Sequence, residues 1–271
     1  MHFNVRAMPS SIRCCLLVVM SLISLNAKAY GEGAATTVNR QIAERIGRGE
    51  AFLTNLFDTR LELLPEYQGS STYWLFHDNY LAAHVLGRTR PDLTRRIRAS
   101  LMRFGVTNSG KIEIVFGEAR QPLPFRTYLL TNVAKVEGKT IRTEIVTTNL
   151  LNGWSEYADL LLFASMAQAT PAQSNARKDF ARAVLMWDGE GFKDRAANHS
   201  GIYATYKLAL YLIAADRLNM VVPHREEVIA RLLALQANDG GWKTDYKEGK
   251  PVGLTNVETT CLALVALQTL R

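Results

Sequence analysis

Cysteine is scarce in this chain. The 271 residues include 3, and two of them, Cys14 and Cys15, sit side by side near the N-terminus. Residues 30–271 retain only Cys261, which excludes an intrachain disulfide or a thiolate cluster for zinc within them. Cys261 lies in Thr259-Thr-Cys-Leu-Ala-Leu264, a run where a thiol serves as a small buried hydrophobe. Long apolar runs are scarce too. The stretch from Cys14 to Leu25 is shorter than the ~20 residues that span a bilayer, and no second stretch is long enough. Low-complexity sequence and an evident interdomain linker are both missing, so residues 30–271 read as a single domain.

The N-terminal segment has the make-up of a signal peptide over residues 1–29. Arg6 and Arg13 precede the apolar run, and Ala27-Lys28-Ala29 satisfies the small-x-small cleavage rule, leaving Tyr30 first. Retention of the segment as an anchor is the alternative. Cleavage would remove Arg6, Arg13 and Lys28 and no acid, lowering the formal charge from +7 to +4. Arg88, Arg90, Arg95, Arg96, Arg98 and Arg103 cluster, but at the spacing of a solvated helix face. A nucleic-acid partner is not expected. The expectation is an exported protein, periplasmic or secreted, with no stable membrane span after cleavage.

What the chain does have is hydrophobic residues, 48% of the total. Their three-to-four spacing predicts helices over Asn39 to Phe57, the second half of 70–86, Pro91 to Phe104, Trp154 to Ala169 and Ser174 to Trp187. Three more are expected from Gly201 to Leu218, Pro223 to Gln236 and Asn256 to Leu270. Asn256 suits an N-cap. Between them the period changes to two. Lys111 to Phe116, Phe125 to Leu130, Ala134 to Val136 and Thr140 to Val146 read as strands, with a turn at Glu137-Gly138. Residues 110–148 are therefore expected to form a small antiparallel insertion.

The chain also repeats itself. Asp188-Gly-Glu-Gly-Phe-Lys-Asp194 precedes the Tyr203 to Leu210 run, and Asp239-Gly-Gly-Trp-Lys-Thr-Asp245 precedes Val257 to Leu264. The period, roughly 50 residues, is that of stacked supersecondary units. Residues 69–86, with Tyr73-Trp74 ahead of a Leu- and Ala-rich helix, read as a divergent earlier unit. The glycines allow a sharp turn, the aromatic residue wedges between units, and the acids have a structural explanation in local backbone bonds.

The helix, Asp-Gly-Gly-Trp turn and helix around Gln236–Trp242 resemble the repeats of the α/α-toroid superfamily, which includes terpenoid cyclases and protein prenyltransferase β-subunits. The resemblance is good over residues 174–271 and loose over 39–169. It implies a mainly α fold, an incomplete barrel of helical hairpins carrying the β insertion at 110–148. Activities of that group lack their motifs here. There is no Asp-x-Asp-Asp run for protonation-driven cyclisation, no Cys-Gly-Glu-Gln thioester run, and no His near Cys261 in the last two helices. No metal centre and no cofactor are expected.

In such a fold the starts of the inner helices line one mouth. They would carry Tyr73, Trp74, His77, Asp78 and Asn79; Trp154, Glu156, Tyr157 and Asp159; Tyr203, Tyr206 and Lys207; and Asn256 and Glu258. His199 lies in the loop before one of them. Aromatic rings stack on sugar faces, and carboxylates bond hydroxyls or transfer protons. Asp78, Glu156, Asp159, Tyr206 and Glu258 are the catalytic candidates and the others substrate-binding ones. Each acid also suits helix capping. His77 and His84, seven apart, lack the spacing of a metal pair. Three readings follow: a carbohydrate-active hydrolase or lyase, a non-catalytic module for a small molecule, glycan or protein, and a relic of isoprenoid chemistry.

Overall fold

A computed structural model describes residues 39–106, 112–117, 125–168 and 174–270. The signal-like segment lies outside these residues. The chain divides into two units, Met1–Glu44 and Arg45–Arg271. In the first, the described residues, 39–44, are helical.

The second unit begins with helix α1, residues 45–56. Strand β1 (Thr72–Trp74) runs into a π-helical turn, Leu75–Asn79, and then α2 (Tyr80–Val85). Next come α3 (Pro91–Arg103), the short α4 (Glu113–Phe116), and strands β2 (Arg126–Val136) and β3 (Lys139–Leu150). A 3-10 turn, Trp154–Glu156, leads into α5 (Ala158–Ala167), followed by α6 (Ser174–Val184). Strand β4 (Tyr203–Ala204), α7 (Thr205–Arg217) and α8 (Arg225–Ala234) come next. The hairpin β5 (Lys243–Lys247) and β6 (Lys250–Thr255) precedes the last helix, α9 (Val257–Thr269).

The expected mainly α toroid is not what forms. The chain is mixed α/β, 49% helical and 21% strand, with two small sheets. One sheet has the order β1-β3-β2, with β1 parallel to β3 and the β2–β3 hairpin antiparallel. The other has the order β4-β5-β6 and is antiparallel. The sequence reading assigned no element to 243–255, between its last two helices. That segment folds because Glu248 and Gly249, at φ 51° and 68°, make a turn with both centres left-handed, the geometry that closes a two-residue hairpin. Pro251 is tolerated because β6 lies at the sheet edge.

The insertion differs from its expected form as well. Glu137 and Gly138, at φ 50° and 78°, do turn the chain, but the strands on either side are continuous and long. The alternation at Lys111 to Phe116 is not a strand. Its described part is helical, and Ile112, Ile114 and Val115 are all buried together. Residues 110, 111 and 118–124 of the expected insertion lie outside the described ones.

The helices sort into two kinds. α7 and α9 bury nearly their whole circumference: every residue of α7 from Lys207 to Ala215 and every residue of α9 from Thr259 to Leu267 is buried. α9 packs between α2 and α7, and α7 also packs on α5. Helices with one apolar stripe sit outside them. α3 turns Leu93, Ile97 and Leu101 inward and leaves Arg95 and Arg98 exposed, as the arginine spacing predicts. Trp242 is fully buried, and its indole N–H donates to the Leu232 carbonyl at 2.7 Å, locking the last repeat turn to α8.

Candidate functional site

The site is built at the starts of α2, α5, α7 and α9. The π-helical turn Leu75–Asn79 leads into α2 and carries His77 and Asp78; such turns are rare and recur at functional positions. Asn79 fixes the turn. Its side chain, fully buried, accepts the Leu64 N–H at 2.8 Å and donates to the carbonyls of Leu64 and Trp74 at 3.0 and 2.8 Å. α9 is set in place by Asn256, whose carboxamide oxygen caps the Thr259 N–H at 2.9 Å, and by the Val257 N–H, which donates to the Glu66 carbonyl. Glu258 thereby sits in the first turn of α9.

These two starts meet. One ligand atom each of His77, Asp78 and Glu258 lie within 4.8 Å of one another. Asp78 is 1% exposed and its Oδ2 has no hydrogen-bond partner. Burial, followed by the charges of Glu258 and Glu66, holds its carboxyl well above the usual carboxylate range. His77 is partly exposed and turns Nδ1 toward Glu144 of β3 at 3.8 Å. Beneath them the Cys261 thiol is pushed well up by burial and then by Asp78 and Glu258, so it is a neutral, inert group.

The starts of α5 and α7 meet in the same way. The Tyr206 hydroxyl donates to Asp159 Oδ2 at 3.1 Å. Lys207 Nζ lies 2.5 Å from Asp194 and 3.7 Å from Asp159. Asp194 is fully buried and accepts the Ala158 N–H at 2.9 Å, so it caps α5 while pairing with α7. Burial, then Asp159 and then Glu258, raise the Tyr206 phenol well above its ordinary value. Glu258 thus acts electrostatically on Tyr206, while α7 and α9, which carry the two residues, pack on one another.

Not every candidate joins these clusters. Glu156 is exposed and pairs with Arg195 at 3.2 Å. The Tyr73 hydroxyl donates to Asp58, and that of Tyr203 to Asp188, so both fasten turns. Trp74 is buried against the His77 ring and the Arg142 guanidinium, and Trp154 packs edge-on to Phe125. Asn79 and Asn256 hold backbone groups. Tyr157 precedes α5 and is partly exposed, while His199 is exposed in a loop turn. A cleft of about 360 Å³ between α2 and α3 is lined by Tyr80, His84, Arg98 and Met102, and by none of the central acids.

Three carboxylates escaped the sequence reading. Glu66 reaches Asp78 through a loop, Glu144 reaches His77 from β3, and Asp194 reaches Lys207 across 13 residues. Only Asp194 left a trace, as the closing acid of the first repeat motif. No protein-family profile, no curated protein and no solved structure matches the chain, so the toroid resemblance finds no support there. Among the described residues, no helix is long and apolar enough to cross a membrane.

Proposed function

We propose that the protein is an exported carbohydrate-active enzyme, a hydrolase or lyase, working at the joined starts of α2, α5, α7 and α9. One observation carries the reading. Asp78 with Glu258, and Asp159 with Tyr206, come from four separate stretches of sequence and form two polar clusters at the starts of helices that pack on one another. Tyr206 supplies a phenol proton, held in a hydrogen bond to the Asp159 carboxylate. Burial keeps this phenol protonated at neutral pH, so its hydroxyl is available to bond or protonate a leaving alkoxide once substrate has displaced the bond to Asp159. Lys207 holds Asp159 in place, and on the other side Glu258 stands beside the Asp78 carboxyl, which burial keeps in its protonated form. The export part of the reading comes from the signal-like residues 1–29.

The test is a panel of neutral glycans and polyuronates incubated with the full chain, beside Asp159→Asn. Turnover of a panel member, reduced about 100-fold or more in the variant, supports the proposal. Neither turnover nor binding across the panel removes it. A second reading, a non-catalytic ligand-binding module, is favoured by the mutual pairing of Lys207 with Asp159 and Asp194. Saturable glycan binding with no product would select it.

A further inference from the structure

We propose that His77, Asp78 and Glu258 form a binding site for a first-row divalent cation, Mn²⁺ or Zn²⁺. The trio combines one imidazole and two carboxylates, a donor set those ions accept. Its ligand atoms lie within 4.8 Å of one another. His77 and Glu258 are only partly buried, so small side-chain rotations can close the remaining distance.

Acids and a histidine in proximity do not by themselves make a site. The independent observation is Asp78 Oδ2, a buried and unpartnered oxygen on a side chain that lies against His77 and Glu258. A buried polar atom normally has a partner, and leaving one without costs about 1–3 kcal/mol. Among the described residues, no Lys or Arg forms an ion pair with Asp78 or Glu258. Asn79 binds backbone, and Lys207 is committed to Asp194 and Asp159. A bound cation would supply the missing partner and offset the repulsion among Asp78, Glu258 and Glu66.

The surroundings suit that role. Glu144 lies 3.8 Å from His77 Nδ1, so a small shift would let it accept the Nδ1–H and leave Nε2 for the ion, as outer carboxylates do for metal-bound histidines. The π-helical turn is rigidly clamped by Asn79, so Asp78 is held in place before any ion arrives. The partly exposed side of the trio leaves coordination positions for water or substrate. The inference stands apart from the carbohydrate reading, since it concerns only what the trio binds.

The experiment is titration of chelator-stripped full chain with Mn²⁺ and with Zn²⁺ by calorimetry, alongside Asp78→Asn, Glu258→Gln and His77→Ala. Circular dichroism establishes that each variant is folded. Near-stoichiometric binding of either ion, weakened at least 10-fold in Glu258→Gln and in one other folded variant, is the expected result. Electron paramagnetic resonance of the Mn²⁺ form should change in the same variants. No specific binding to the folded chain, or binding that all three substitutions leave unchanged, overturns the proposal. Metal binding without glycan turnover would defeat the proposed function and leave this site intact.

Discussion

The Tyr203 hydroxyl donates to the Asp188 carboxylate at 2.6 Å, 15 residues back along the chain. The other Asp188 oxygen accepts the N–H groups of Glu190 and Gly191, so one acid shapes its own turn and grips the segment entering α7. Asp239 does the same before α9: it accepts the Gly241 N–H at 3.0 Å and the Thr255 hydroxyl at 2.7 Å, 16 residues on. Asp58 does so before α2. It accepts the Arg60 and Leu61 N–H groups and, at 2.9 Å, the Tyr73 hydroxyl, again 15 residues on. Each turn also closes with an isolated β-bridge, at Asp58–Leu63, Trp187–Phe192 and Gln236–Trp242. The repeat thus has three structural copies, and the acid in each is a fastener.

Asp58 should make the fold acid-sensitive. Burial alone would raise its carboxyl, but the Lys139 ammonium, the Arg60 and Leu61 N–H groups and the Tyr73 hydroxyl outweigh it and bring the value from 3.8 to about 2. The group therefore stabilises the fold fully above its unfolded value, and the contribution is lost as pH falls from there through about 2. The shift corresponds to about 2 kcal/mol at neutral pH. Asp58→Asn should be less stable by that order at pH 7 in urea denaturation, and the gap from the native chain should be mostly gone at pH 2. A gap that is unchanged with pH would count against this assignment.

Gly240 is required by both conformation and space. Its φ is 94°, and a Cβ there would strike the Arg48 backbone carbonyl. Gly69, at φ 86°, has nothing within 4 Å of such a Cβ. Left-handed backbone strain is roughly 1–3 kcal/mol at either position, but only Gly240 adds a clash with backbone that cannot swing aside. Gly240→Ala should lower the denaturation midpoint clearly more than Gly69→Ala. Equal losses would show that α1 yields to the new methyl group.

The local features of this fold were legible in the sequence, and the non-local ones were not. Asn256 was readable as a cap because capping needs only the next three residues, and Glu137-Gly138 as a turn for the same reason. Residues 243–255 were not readable as strands. Their polar pattern has no buried face of its own, and β5 is secured by pairing with Tyr203 and Ala204 from a distant segment. The starts of the inner helices were located well enough to gather Asp78, Asp159, Tyr206 and Glu258. Spacing along the chain gave no sign of Glu66 or Glu144, which arrive from a loop and from β3. It also hid Asp58, whose turn lacks the paired glycines of the later copies.

Lys207 and Asp194 form a buried ion pair, at 4% and 0% side-chain exposure. Removing one charge strands the other, an effect of roughly 3–5 kcal/mol. Lys207→Met should therefore destabilise the protein severely. Adding Asp194→Asn should recover part of the loss, because the carboxamide oxygen can still accept the Ala158 N–H without carrying charge. A thermal-denaturation double-mutant cycle reads this directly, and strict additivity of the two losses would argue that the pair is not coupled.

Tyr206→Phe separates chemistry from support. The substitution removes one hydroxyl and its 3.1 Å bond to Asp159, leaving the ring and its packing. A hydrogen bond to a charged group contributes about 1.5–3 kcal/mol to stability, so the midpoint should fall measurably while the chain stays folded. If the phenol delivers a proton, turnover of the responsive glycan should fall about 100-fold or more, since general acid catalysis supplies effects of that size. The loss should appear in kcat with KM nearly unchanged, because substrate binding would keep the aromatic face. A variant that loses stability but keeps kcat would make Tyr206 a brace for Asp159 and return the proton-transfer role to the carboxylates alone.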